Sequence, residues 1–424
     1  MERVKRLAAQ ITGTSGVAAL EKKSPDDVVI TMAIRSPLCK AKKEDSRMQG
    51  TPCCFSIRID ADRSFIGPTS SCSRCSGCVY LAQSIAHSNI DPSLIGDICV
   101  GNVLCTDGVY YARAAALAAG FPETVPVQGI NRFCSSGLMA LTTISNQIRA
   151  GQIDIGLAVG VESMSQNEEI AAHPAAADCP KPMGWTSENV AEDFNITRDD
   201  QDDFAAKSFQ KAEKADKAGY FQGEIVPFTV YQNDPATGTR KRVIVTKDDG
   251  IRYGTTKDNL AKIRSAFPQW GKGTTTGGNA SQITDGAASV LLMTRRKAEE
   301  LGLKIIAKHV TTTVAGVPPR VMGIGPIFAI PAALEKSGLT KEDVDLFEIN
   351  EAFASQAVYC VRELALDGEK VNVNGGAIAL ARCTGARQLA TGLNELERRK
   401  GRVLVTSMCI GTGMGAAGVF VREA

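Results

Sequence analysis

An α/β fold built from two related halves is what this sequence predicts, and three observations carry the prediction. Apolar runs of strand length alternate with helix-length segments along most of the chain. The alternation breaks near the middle and then resumes as a second α/β series that echoes the first. The composition is 44% apolar but only 5% aromatic, with 40 glycines, which suits close-packed layers joined by tight turns. A chain of 424 residues is long enough for two or three domains. A net charge of +2 points away from nucleic-acid and membrane partners, and no apolar run reaches the roughly 18–20 residues that span a bilayer. Thirteen cysteines are too few for a dense disulfide framework, and no secretory leader opens the chain, so a reducing compartment is expected.

The elements follow in order. Residues 1–25 read as a basic leader, in which Arg3-Val4, a five-residue gap and Gln10-Ile11 resemble an N-terminal peroxisomal targeting signal. A buried strand is expected over 27–34 and a second over 94–104. A small-residue helix follows over 112–119, then a strand over 125–130. Leu138, Leu141, Ile144 and Ile148 fall at helical spacing within a helix over 135–150, and a strand follows over 153–161. Residues 168–278 turn polar and irregular and read as an insertion. Helices are expected there over 197–218, opened by Thr197 with acids behind it, and over 256–263. The strand over 286–294 closes the first half. The second series runs as strand 305–314, helix 327–337, strand 346–349, helices 352–364 and 384–399, and strands 403–406 and 416–421.

Two cysteines carry the chemistry. Cys134 sits in Asn131-Arg-Phe-Cys-Ser-Ser-Gly137, and Cys409 in Ser407-Met-Cys-Ile-Gly-Thr-Gly-Met-Gly415. Each lies between an apolar run and small residues, where a sulfur at a strand end or helix start meets backbone N–H groups that favour a thiolate. Two thiols with separate roles suggest acyl-group transfer.

Those two segments, with Gly160-Val-Glu-Ser-Met164, 182–191, Gly278-Asn-Ala-Ser-Gln282, Gly323-Ile-Gly-Pro326 and Asn350-Glu-Ala-Phe-Ala354, stand in thiolase order and spacing. Over about 26–42 and 87–424 the chain resembles 3-ketoacyl-CoA thiolases of the peroxisomal kind, and a fungal one is expected. The resemblance implies a five-layered αβαβα thiolase fold. Its N-terminal half would be 26–167 with 279–298, its CoA-covering loop domain 168–278, and its C-terminal half 299–424. It implies that Cys134 takes the acyl group as a thioester and that Cys409 is the acid/base. Gly411 and the Cys134 N–H would form one oxyanion hole, and Asn350 would hold the water of another. Ser281 would meet the pantetheine arm of CoA, Met183 and Phe353 would line its tunnel, and Arg252 would meet the nucleotide. CoA and acyl-CoA would be substrates, with no metal or redox cofactor. A homodimer is implied, and residues 3–11 would engage a peroxisomal import receptor. A biosynthetic acetyl-CoA acetyltransferase is the second reading. The third is a CoA-binding pseudoenzyme that retains the Cys134 loop.

Two departures from the family stand out. The family carries Gly-His-Pro after the run Asn374–Leu380, and that histidine deprotonates the nucleophile and donates to an oxyanion hole. Here Ala381-Arg382 replaces five family residues, and an arginine stays protonated. His87, His173 and His309 fall on no catalytic position of the family. Severely impaired turnover is therefore expected. The second departure is 44–84, rich in Ser, Arg and Cys. Its Cys72-Ser-Arg-Cys75-Ser-Gly-Cys78 has thiolate-ligand spacing but no fourth ligand at a convincing distance.

Overall fold

The computed structural model describes residues 16–40, 84–103, 108–163, 181–233, 240–380 and 385–423. Outside the described residues lie the 3–11 segment, 44–84 save Ser84, His173 and Ala381-Arg382.

The first half contains β1 (Val28–Arg35), β2 (Cys39–Lys40), β3 (Asp97–Gly101), β4 (Val127–Ile130), β5 (Ile155–Ser163) and, beyond the insertion, β8 (Thr284–Thr294). Its strands stand in the order β4-β3-β5-β8-β1, with the short β2 paired to β8. β3 is parallel to β4 and β5, whereas β5–β8 and β8–β1 are antiparallel. The second half contains β9 (Ala307–Gly316), β10 (Leu346–Ile349), β11 (Val403–Ile410) and β12 (Met414–Arg422). Val371 bridges parallel to Phe347 of β10, β10 is parallel to β11, and β11–β12 and β12–β9 are antiparallel. The order and sense of the first half are thus repeated. The opening strands of the two halves pair edge to edge through Val29–Lys308 and Ile30–Ala307.

Side-chain alternation sorts the layers. In β1, Val28 and Ile30 point to a central core while Val29 points outward. A bulge between Ile30 and Met32 shifts the parity, so Ala33 then faces the centre and Met32 and Ile34 face out. The central core also holds Leu138, Leu141, Ile144 and Ile148 of a helix Ser136–Arg149, Leu389, Leu393 and Leu396 of a helix Ala386–Arg399, and Leu404, Met408 and Phe420 of the second half. Outside the first half-sheet lies the helix Gly108–Ala118, through Ala112, Ala115 and Ala116. Outside the second lies the helix Gly325–Ser337, through Ala329, Ile330 and Ala333. The result is the αβαβα stack that the resemblance implies.

Between β5 and β8 come a helix Met183–Asp193, a helix Arg198–Lys217, the hairpin β6 (Phe228–Asn233) and β7 (Arg240–Val245), and a short helix Lys257–Ala261. Thr197 and Asp200 close a capping box on the second of these helices, as the sequence suggested. Its Ala205, Phe209 and Ala212 pack against Ile378, Ala379 and Leu380. Among the described residues no helix is long and apolar enough to cross a membrane.

A buried ion cluster ties the insertion to both halves. Arg35, fully buried at the end of β1, donates from Nε to Glu224 (2.6 Å) and from Nη1 and Nη2 to Asp248 (2.8 and 2.9 Å). Thr391, on the helix Ala386–Arg399, donates to the same Glu224 oxygen at 3.0 Å. Burial raises the Glu224 carboxyl pKa, and the Arg35 charge opposes that rise. Arg35→Ala strands two buried carboxylates. It is expected to cost about 3–5 kcal/mol, measured by urea unfolding.

Candidate active site

Cys134 lies in a tight turn between β4 and the helix Ser136–Arg149. Phe133 holds φ at 45°, in the left-handed region that favours glycine. Its N–H donates to Asn131 Oδ1 at 2.9 Å, and its carbonyl accepts from Ser136 Oγ at 2.6 Å. Ser135, at the helix N-cap, turns its hydroxyl back to Arg132 O (2.9 Å) and does not cap the helix. The turn therefore sets Cys134, partly exposed, at the positive end of a helix dipole. Gly101, at the end of β3, backs the turn. A Cβ there would come within 2.4 Å of Ser136 backbone.

Cys409 lies at a strand end, as expected, but the strand is longer than the sequence suggested. The strand expected to stop at 406 continues to Ile410, and Cys409 pairs within β11 with Gly415 of β12. The correction has a tertiary cause, since β12 supplies ladder partners that local sequence does not reveal. Cys409 is fully buried among Met322, Ala352 and Phe353, with Met183, Phe267 and Ala280 packed alongside. Just beyond it, a Cβ on Gly411 would stand 3.6 Å from the Phe133 ring. The Cys134 turn and the end of β11 therefore meet, though they are far apart in the sequence.

Asn350 directly follows β10 and donates its backbone N–H at 2.9 Å to Ser407 O of β11, the strand that carries Cys409. It is 6% exposed, and its Nδ2 has no hydrogen-bond partner among the described residues. A buried donor without a partner is costly in a native fold, and this one suits an oxygen brought by substrate or water. Glu351 faces the other way. It accepts from Ser208 Oγ (2.7 Å), Asn372 Nδ2 (2.8 Å) and Ile378 N–H (3.1 Å). Burial raises its pKa. Its geometry is that of an anchor for the 372–380 segment. A Cβ at Gly376 would lie 2.1 Å from its carboxyl carbon, so only glycine fits there.

The four residues matched to CoA contacts fall in one neighbourhood. Met183, the first residue of its helix, and Phe353 both pack against the Cys409 cluster. Ser281, half-buried, donates its N–H to Ala352 O at 3.0 Å. Arg252 is exposed and rests its guanidinium 5.8 Å from the Phe209 ring centroid. The 249–252 loop is tied to Ser281 through Gln282, whose amide donates to Gly250 O at 2.7 Å.

The described histidines lie elsewhere. His309 is fully buried and bonded to Ser145 and Thr312. Burial and the Arg149 charge push its pKa down to about 3. Ser145 lies eleven residues past Cys134, or about 16 Å along a helix at 1.5 Å per residue, so His309 cannot reach the nucleophile. His87 is exposed in the helical stretch 84–88. The sequence reading did not single out Gln282, or Cys360, a buried thiol whose pKa is raised by burial and by neighbouring Cys409. Gln282 lay inside a quoted motif, but its bonds reach residues far along the chain.

Residues 76–296 match the family described as thiolase, N-terminal domain, and residues 303–422 match thiolase, C-terminal domain. The chain is 48% identical over 441 aligned positions to a peroxisomal 3-ketoacyl-CoA thiolase of Yarrowia lipolytica, with both chains fully covered. It is 54% identical over 346 positions to the human peroxisomal 3-ketoacyl-CoA thiolase, covering 78% of this chain and 81% of the human one. Among solved structures, the dimeric peroxisomal thiolase of Saccharomyces cerevisiae aligns with a TM-score of 0.83 at 43% identity, covering 96% of this chain and 100% of that one.

Proposed function

The chain belongs to the thiolase family, and we propose that Cys134 and Cys409 divide the labour of CoA-dependent cleavage of 3-ketoacyl-CoA. It is an acyltransferase of peroxisomal fatty-acid β-oxidation, like the relatives it matches. The observation that carries the division of labour is the meeting of the Cys134 turn, Gly411 and buried Cys409 beside Met183 and Phe353.

The Cys134 thiolate attacks the 3-keto carbon, and the bond between C2 and C3 breaks. The acyl group stays on sulfur as a thioester, and the departing acetyl-CoA carbanion takes a proton from the Cys409 thiol. A new CoA then gives its thiol proton to Cys409 and attacks the thioester, which frees Cys134. Gly411 and the Cys134 N–H stabilise the oxyanion on the acyl carbon. Asn350, by holding a water, stabilises the enolate oxygen of the leaving group. CoA enters as a substrate, and the scheme uses no metal or redox group. Asn350→Ala is expected to lower kcat by about 10²–10³-fold, with KM changed far less, in steady-state assays of acetyl-CoA release.

The scheme lacks a base to form the Cys134 thiolate, since Ala381-Arg382 stands where the family has its histidine. This favours a second reading, in which the chain acylates but barely turns over. Incubation with 3-ketoacyl-CoA and CoA separates the two. Shortened acyl-CoA and acetyl-CoA in equal amounts support the enzyme, whereas an acyl adduct on Cys134 without product supports the impaired form.

The proposal includes a homodimer. β4 has β3 as its strand partner, and Val109 and Tyr110 beside it are 50% and 71% exposed. An edge left open among the described residues, next to apolar surface, suits a second copy, and the yeast relative is dimeric. Residues 3–11 are proposed to engage the peroxisomal import receptor.

A further inference from the structure

We propose that Gln282 is a positioning residue that couples occupancy of the CoA seat to the 376–380 segment on which the missing catalytic histidine would follow. The inference rests on the reading of Ser281 and Arg252 as CoA contacts.

Gln282 is 8% exposed and follows Ser281 directly. Its backbone N–H donates to Ala377 O at 3.3 Å. Its side-chain Nε2 donates to Ile378 O and Ala379 O, both at 3.1 Å, and to Gly250 O at 2.7 Å. One residue therefore binds three consecutive carbonyls of the segment that leads to Leu380, and holds the loop that carries Arg252. The contact is tight from the other side too. A Cβ on Gly250 would stand 3.1 Å from Ala379 O and 3.1 Å from the Gln282 amide.

The far side of the segment is fixed by different means. Glu351 takes the Ile378 N–H, and Ser208 Oγ takes the Gly376 N–H at 3.0 Å. Ile378, Ala379 and Leu380 pack on the helix Arg198–Lys217. Gly376 O is taken within the segment by the N–H groups of Ala379 and Leu380, at 3.1 and 2.9 Å, so the carbonyls that Gln282 holds are those of Ala377, Ile378 and Ala379. A ligand that settles Ser281 and the 249–252 loop must steady the same amide. A carbonyl row deprived of its buried donor loses order.

The test uses CoA alone, so it reads binding and not turnover. Hydrogen exchange of the 372–380 backbone is measured in the full chain with and without saturating CoA, beside CoA affinity by calorimetry. CoA is expected to slow exchange of Gly376 to Leu380 in the native chain. In Gln282→Met, which matches the side chain in size but donates nothing, affinity is expected to fall about tenfold and the CoA-dependent protection to disappear. Gly250→Ala, which presses on the junction from the loop side, is expected to act in the same direction and serves if Gln282→Met does not fold. If CoA binds the native chain and either folded variant keeps full CoA-dependent protection, the coupling is overturned while the seat stands. If CoA does not bind the native chain, the seat itself is overturned and the coupling with it.

Discussion

Replacing Ala381-Arg382 with the family's five residues bearing Gly-His-Pro is expected to raise CoA-dependent cleavage by roughly 10²–10⁴-fold, the usual worth of a general base. The oxyanion donor that returns with it pushes towards the upper end. The described residues on both sides show why the place is right. Leu380 is fully buried on one side. On the other, Gly385 has φ of 81°, and a Cβ there would lie 3.2 Å from both Leu138 and Met408. Leu138 is in the first turn after Cys134, and Met408 adjoins Cys409. The insertion therefore enters between the two thiols' own elements. His309 is held by Ser145 and Thr312 at the far end of the helix, and Glu351 is committed to three hydrogen bonds, so neither of these two takes the histidine's place. Equal rates before and after insertion would sink the assignment of the missing group.

In that restored background, Cys134→Ala is expected to lower kcat by about 10⁶-fold, as loss of a covalent nucleophile does elsewhere. The same substitution in the native chain is expected to abolish the acyl adduct seen by intact mass after acyl-CoA treatment. Cys409→Ala is expected to keep the adduct and lose its onward transfer. The other described thiols provide an internal control. Burial pushes the Cys99 thiol up to about 12 and raises Cys360 further, so neither supplies a thiolate at neutral pH. An adduct on either cysteine, with Cys134 unmodified, would overturn the nucleophile.

Much of this was legible because local pattern and tertiary environment agree. The run Leu346–Ile349 is bounded by polar residues and buried throughout, and reads as a strand from either direction. The duplication was legible in the same way, since the repeated strand order follows from two similar alternations. The helix Met183–Asp193 was invisible as a helix, because its buried face includes Thr186, Ser187, Glu188 and Asn189. Their burial is repaid by partners such as the Thr274 and Thr275 N–H groups on Glu188, at 2.9 and 2.7 Å. The end of β11 was missed because its pairing comes from β12. The Cys134 turn was legible as a motif, because its residues are consecutive in the chain. The contacts of Gln282 were not, because they are made to four carbonyls in two distant segments.

The shared central core makes the two halves poor candidates for independent survival. The helices Ser136–Arg149 and Ala386–Arg399 lie in one cluster with strands from both half-sheets, so a fragment of either half would bare an apolar helix face to water. Damage in one half is then felt in the other, and the core is expected to melt cooperatively, with near- and far-ultraviolet circular dichroism changing together. The duplicated architecture has become, in energetic terms, a single unit of inheritance: a substitution tolerated by one half must also be tolerated by its twin.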